Sequence, residues 1–121
     1  MEGRMYILDD DGQPEPCDDV LTYGRWFADV NNRKVALSDV PGGQVSTIFL
    51  GIDHSHHWHR EHVPILWETL IMGGTYHGCG DRYCTRSEAI AGHERIVANL
   101  RAGLTPYGQP AQQEDDCDGR T

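Results

Sequence analysis

The sequence predicts an α+β fold, a small and mainly antiparallel sheet of four to five strands packed with two helices. Three observations carry this reading. Apolar residues recur at helical spacing near both ends of the chain, at 20–30 and at 86–100. Four short apolar stretches lie between them. Pro-Gly, Gly-Gly and Gly-rich breaks separate these stretches, as expected of a hairpin or meander.

Met5 to Leu8 is a short apolar run closed by Asp9-Asp10-Asp11-Gly12, which reads as an edge strand and a turn. Gln13 to Pro16 keeps the chain extended. Val20, Tyr23, Phe27 and Val30 form a helical stripe, with Asp18 or Asp19 as its cap and Asn31-Asn32 as its end. Gly24 weakens that helix by about 1 kcal/mol relative to alanine. Lys34–Ser38 and Val45–Leu50 read as strands joined around Pro41-Gly42-Gly43. Both faces of the second are largely apolar, which places it centrally.

Gly51 to Val63 reads as a loop, and Pro64 opens a strand over Ile65–Met72. Gly73-Gly74 ends that strand, and a Gly-rich loop at 77–81 leads to a short strand at Arg82–Cys84. The last helix is the clearest element. Thr85 is its N-cap and Glu88 completes a capping box. Ala89, Ile90, His93, Ile96, Val97 and Leu100 make its apolar face, and Gly103 stops it. Residues 1–104 are therefore expected to form one domain. Residues 105–121, rich in Pro, Gln, Gly and Asp, are expected to form an acidic flexible tail.

The 121 residues carry a net charge of −9. Residues 1–19 hold seven acids against Arg4, and residues 114–121 hold four against Arg120. The middle of the chain is balanced, with eight acids and eight bases. The acidity belongs to the ends and reads as solvation charge. It argues against nucleic-acid binding, which needs positive potential, and gives little support to phosphate mimicry. No apolar run approaches the length of a membrane span. No basic start followed by an apolar stretch opens the chain, so the sequence predicts a cytoplasmic setting. Free thiols are then expected for the four cysteines.

Chemistry-bearing residues fall in three groups. The densest is the run from Asp53 to His62, which holds His54, His56, His57, His59 and His62. Neutral imidazoles bind zinc well, but no HExxH or other defined template is met. His77, Cys79 and Cys84 can supply further zinc ligands, with a loop histidine as the fourth. No cofactor is required by this reading; zinc is the one the residues allow.

The third group is Asp53, His54, Glu68 and His93. Glu68 stands between Leu66 and Leu70 on an apolar strand, and His93 stands on the apolar face of the last helix. If strand and helix pack together, these residues form a buried cluster able to do acid–base work. Alternatively Glu68 is satisfied by Arg82, by Ser46 or Thr47, or by His93, and the network simply fixes the core. No nucleophile elbow, P-loop, dinucleotide fingerprint or kinase motif is present.

The segments 45–54 (VSTIFLGIDH), 64–70 (PILWETL) and 82–93 (RYCT, then Glu88-Ala89 and Gly92-His93) carry a resemblance. With Tyr6–Asp9 and Tyr23–Phe27, they resemble a family of small bacteriophage and prophage proteins, mainly actinobacterial, over roughly residues 5–98. No activity is attached to that family. The matching positions are Ser46, Thr47, Asp53, His54, Glu68, Thr69 and His93. The resemblance implies a shared role for them. Ser46, Thr47, Thr69 and Arg82 are the binding candidates. The histidine-rich stretch and the Cys79/Cys84 pair depart from the pattern, which is Gly/Pro-rich at that loop.

These readings favour a small soluble phage-type accessory protein that acts by binding a host or phage protein in the bacterial cytoplasm. A small enzyme or metal-dependent domain using the Asp/His/Glu cluster comes second. A structural domain with metal-stabilised His and Cys loops comes third. An exposed apolar patch with Trp26, Trp58 or Trp67 would favour the first.

Overall fold

The computed structural model describes residues 5–53 and 63–111. Its elements are β1 (Tyr6–Leu8), β2 (Pro14–Pro16), α1 (Val20–Ala28), a 3₁₀ turn (Val30–Asn32), β3 (Lys34–Val40), β4 (Gly43–Phe49), β5 (Trp67–Met72), β6 (Gly80–Tyr83) and α2 (Arg86–Arg101). The fold is α+β, as the sequence predicts. The strands form two antiparallel sheets rather than one. β1 and β2 make a two-stranded ribbon, and β3-β4-β5-β6 make a meander in chain order.

Local chemistry sets each boundary. Asp19 caps α1, accepting from the Leu21 N–H at 3.1 Å and the Thr22 hydroxyl at 2.7 Å. Asp29 then caps the 3₁₀ turn, so Val30 leaves the helix that its spacing predicts. Thr85 caps α2 by accepting from Glu88 N–H at 3.1 Å. The Glu88 carboxylate reaches back to the Cys84 N–H at 3.3 Å, one residue beyond the N-cap N–H of the usual box. A bulge where Lys34 and Ala36 meet Ile48 and Thr47 turns Val35 toward the core.

α2 lies across all four strands of the meander. The side chains facing it form two apolar clusters. One contains Val45, Ile71, Cys79, Ile96 and Val97. The other contains Phe49, Leu66, Trp67, Tyr83 and Ala89. α1 seals the second from the side: Trp26 meets Phe49 edge-on at 5.7 Å, and the Tyr23 hydroxyl donates to the Gly51 carbonyl at 3.1 Å. Gly51 has φ of +80°, and a Cβ there would lie 2.8 Å from the Tyr23 oxygen, so only glycine closes this corner.

Gly24 is the opposite case. It is exposed inside α1, and a Cβ there meets nothing within 4 Å. Gly24→Ala is expected to stabilise the protein by about 0.5–1 kcal/mol. Thermal melts followed by circular dichroism would show a midpoint a few degrees higher; an unchanged or lower midpoint would contradict this.

The chain stays docked beyond residue 104, where the sequence reading ends the domain. Thr105 and Pro106 are buried, Leu104 bridges Pro110, and Asn99 donates to the Pro106 carbonyl at 2.9 Å. Tyr107 donates to the Gly80 carbonyl at 3.3 Å. The turn that holds these contacts is built by the Thr105 hydroxyl, which accepts from the N–H groups of Tyr107 and Gln109.

Candidate functional site

Between the two apolar clusters runs a belt of polar side chains. Thr47 lies between Val45 and Phe49 on β4. Thr69 lies between Trp67 and Ile71 on β5. His93 lies between Ala89 and Ile96 on α2. Thr47 and Thr69 are fully buried, and His93 is 4% exposed. The belt is continuous. Thr69 and Thr47 share a short hydroxyl–hydroxyl hydrogen bond. Thr47 Oγ1 lies 2.8 Å from His93 Nδ1, and Ser38 Oγ lies 2.9 Å from His93 Nε2. Both ring nitrogens are therefore engaged by hydroxyls, as buried polar groups require.

The belt continues on β6 with Tyr83, whose hydroxyl is buried and has no hydrogen-bond partner among the described residues. It rests on the backbone of Gly92, where any Cβ would collide with it. Burial pushes the Tyr83 phenol up from its ordinary pKa, and the neighbouring Thr69 hydroxyl pulls the other way. Burial likewise holds the His93 imidazole below 6.5, opposed by the Glu94 carboxylate.

His93 is neutral in the fold and takes up a proton more readily once unfolded. It therefore favours the native state fully above the unfolded value near 6.5, and less as pH falls below it. Wild type is expected to lose more thermal stability between pH 7 and pH 5 than His93→Gln does. Parallel melting curves with equal pH slopes would count against it.

The predicted acid–base cluster is not assembled. Glu68 lies between Trp67 and Thr69, and alternation along β5 turns it to the opposite face of the sheet. There it pairs with Arg82 at 3.0 Å. Asp53 accepts from the Ile65 N–H at 3.0 Å, which brings together the two ends of the segment between them. His93 meets Thr47 and Ser38 instead. The predicted binding candidates divide in the same way, Thr47 and Thr69 in the belt, Ser46 and Arg82 on the opposite face.

His54, His56, His57, His59 and His62 lie outside the described residues, as does Trp58. His77 Nδ1 accepts from the Gly73 N–H at 2.7 Å and so shapes the β5–β6 turn. Cys79 is fully buried and disulfide-bonded, which corrects the expectation of free thiols and removes its sulfur as a thiolate ligand. Cys17 and Cys84 are free. Burial, together with the Glu88 and Asp53 carboxylates, raises the Cys84 thiol above its ordinary pKa, leaving it a poor nucleophile. Among the described residues no group of three His, Cys, Asp or Glu side chains could hold a metal ion. No helix among them is long and apolar enough to cross a membrane.

The face of the meander opposite α2 is of a different kind. The register aligns Leu37, Ser46, Leu70 and Gly80 in one row across the sheet. Asp39, Gln44 and Met72 form the next row on one side, and Lys34, Ile48, Glu68 and Arg82 on the other. Leu37 is 51% exposed, Met72 39% and Leu70 36%. A groove lined by Glu68, Leu70, Gly78, Gly80, Asp81 and Arg82 borders this surface. Trp67 is buried and Trp26 half-buried, so among the described residues aliphatic side chains make the exposed apolar patch.

No family model, no curated protein and no solved structure matches the chain.

Proposed function

We propose that this is a small phage-type accessory protein that works by binding another protein, of host or phage origin, through the open face of its four-stranded sheet. The observation that carries the reading is the aliphatic patch of Leu37, Ile48, Leu70 and Met72. An antiparallel sheet with one solvated face ordinarily alternates apolar-in and polar-out. Here four outward positions on three adjacent strands, Leu37, Ile48, Leu70 and Met72, are aliphatic instead, with Ser46 among them. Among the described residues no helix covers them.

Contiguous exposed apolar surface rimmed by charge is the composition of a protein contact. Lys34, Asp39 and the Glu68–Arg82 pair supply the rim. The occupant is a protein with an apolar face of its own, because a flat sheet offers shape and area rather than an enclosed cavity. The balanced charge of residues 20–113 agrees with a contact that does not depend on net charge.

Leu70→Asp places a charge at the centre of the patch and leaves the core-facing side of β5 unaltered. Purified wild type and variant would be presented to a host lysate, and the affinity of each captured protein measured. A partner that loses at least about tenfold in affinity, equal to 1.4 kcal/mol, supports the reading. A set of captured proteins with the same affinities for both forms overturns it.

A further inference from the structure

We propose that Ser38 and His93 form a nucleophile–base pair, oriented by Thr47 and Thr69, that accepts the acyl group of a small apolar ester. The inference goes beyond the binding role and uses the other face of the sheet. A serine becomes nucleophilic when a base lies within hydrogen-bond reach and a third group orients that base. Both requirements are met here. Ser38 Oγ is 2.9 Å from His93 Nε2, and His93 Nδ1 is 2.8 Å from Thr47 Oγ1.

Hydroxyls donate as well as accept, and one of the two directions open to these hydrogen bonds gives the base its tautomer. His93 Nδ1–H donates to Thr47, Thr47 donates to Thr69, and the Thr69 hydroxyl is left to point toward the Tyr83 oxygen. Nε2 then carries the lone pair and accepts from Ser38, the tautomer a general base requires. The belt does part of what a carboxylate does in the Ser-His-Asp arrangement: Thr47 holds the ring in place, without supplying charge.

Access distinguishes Ser38 from the rest. Thr47, Thr69 and His93 are buried, whereas Ser38 is part-exposed on β3, an edge strand of the meander. Val40, two residues along on the same face, begins a cavity also lined by Ile71, Tyr76, Leu100 and Leu104. Those side chains offer apolar contact to an acyl chain beside the backbone of Gly42, Gly73 and Gly74, and Val40 stands roughly 7 Å from Ser38 along the strand. Arg101 crosses from α2 to donate to the Asp39 carbonyl at 2.8 Å. Its guanidinium is thus held against the backbone one residue from Ser38.

The step balances without a further reagent. Ser38 Oγ bonds to the ester carbonyl carbon while its proton passes to His93 Nε2. The tetrahedral adduct then expels the alkoxide or phenoxide, which leaves with the electron pair of the broken C–O bond. The proton on His93 goes to that leaving group or to water.

The full-length protein would be mixed with 4-nitrophenyl butyrate. Nitrophenolate release would be followed, and the acylated residue located by intact and peptide mass spectrometry. The expected result is one butyryl group on Ser38, none on that peptide in Ser38→Ala, and a rate lowered about 100-fold or more in His93→Gln. Thr47→Val should slow the reaction and Thr47→Ser restore it. The rate should fall at acid pH with a midpoint below 6.5, as His93 takes its proton. The charged neighbour on α2 is Glu94, while β3, β4 and β5 present the non-titrating Ser38, Thr47 and Thr69, and β6 presents the Tyr83 phenol. Circular dichroism of each variant separates chemistry from unfolding, and Thr47→Ser keeps the test open should His93→Gln fail to fold. No acylation of wild type, acylation mapped elsewhere, or equal rates in folded His93→Gln would overturn the assignment.

Discussion

Trp67→Ala is expected to cost about 3–5 kcal/mol, more than any other single truncation in this core. Trp67 is 1% exposed and meets Phe49 edge-on at 5.2 Å, with Leu66, Tyr83 and Ala89 around it. Removing the indole empties the centre of one of the two clusters, and the facing β4 and α2 backbones cannot close over the space. A loss of this size approaches the whole stability of a small domain. The variant should melt about 10–20 °C below wild type, or fail to accumulate as a folded species. The comparison with Trp67→Phe is informative. The indole N–H is buried without a partner among the described residues. Phenylalanine keeps the ring contact and removes that unsatisfied donor, so it should lose less than about 1.5 kcal/mol. Urea unfolding of both variants checks the pair; similar losses would show that the N–H, not the packing, had been misjudged.

Gly80→Ala is expected to cost about 3 kcal/mol by another route. Gly80 is buried opposite Leu70 on β6, and a Cβ there would overlap the Thr69 carbonyl oxygen. The next atoms it meets, 3.0 Å and 3.2 Å away, are also backbone. No side chain can swing aside, so β6 must part from β5, and the pairing of Thr69 with Asp81 goes with it. Amide exchange would register this as lost protection confined first to β5 and β6. Protection equal to wild type in those strands would refute the expectation.

Much of the architecture is written in the chain. Thr85 and Glu88 announce α2, and its stripe from Ala89 to Leu100 announces the face it buries. Pro41-Gly42 and Gly73-Gly74 punctuate the meander. The ribbon of β1 and β2 is not legible in the same way, because Pro14 and Pro16 argue against a strand. They are tolerated because β2 has a neighbour on one side only.

The candidate site is legible in part. Thr47, Thr69 and His93 are all singled out by the sequence, but Glu68 is placed with His93 and Ser38 is missed. β5 is apolar on both faces, so its composition does not say which face is inward. Cross-strand register decides it, through the pairing of Thr69 with Thr47 and of Glu68 with Ile48. One signal was available: Thr47 and Thr69 each stand between two large apolar residues, a pattern that asks for a buried hydroxyl partner. Nothing local marks Ser38, which meets His93 from 55 residues away. Cysteine spacing is equally silent about pairing, so the disulfide at Cys79 could not be read from it.

The chain-order meander also dictates a sequence of events. Each strand pairs with the one made just before it, so the sheet can zip up through short loops. The two-residue Pro41–Gly42 connection can close a hairpin within about 1–10 μs. The belt is a different matter. Its sheet-borne half, Thr47 to Thr69, spans 22 residues, but His93 joins Thr47 across 46 and Ser38 across 55. Those closures wait for α2 to settle across all four strands, since local contacts form ahead of distant ones. The imidazole therefore finds its two hydroxyls only in the last act of folding, and any chemistry it performs belongs to finished molecules alone.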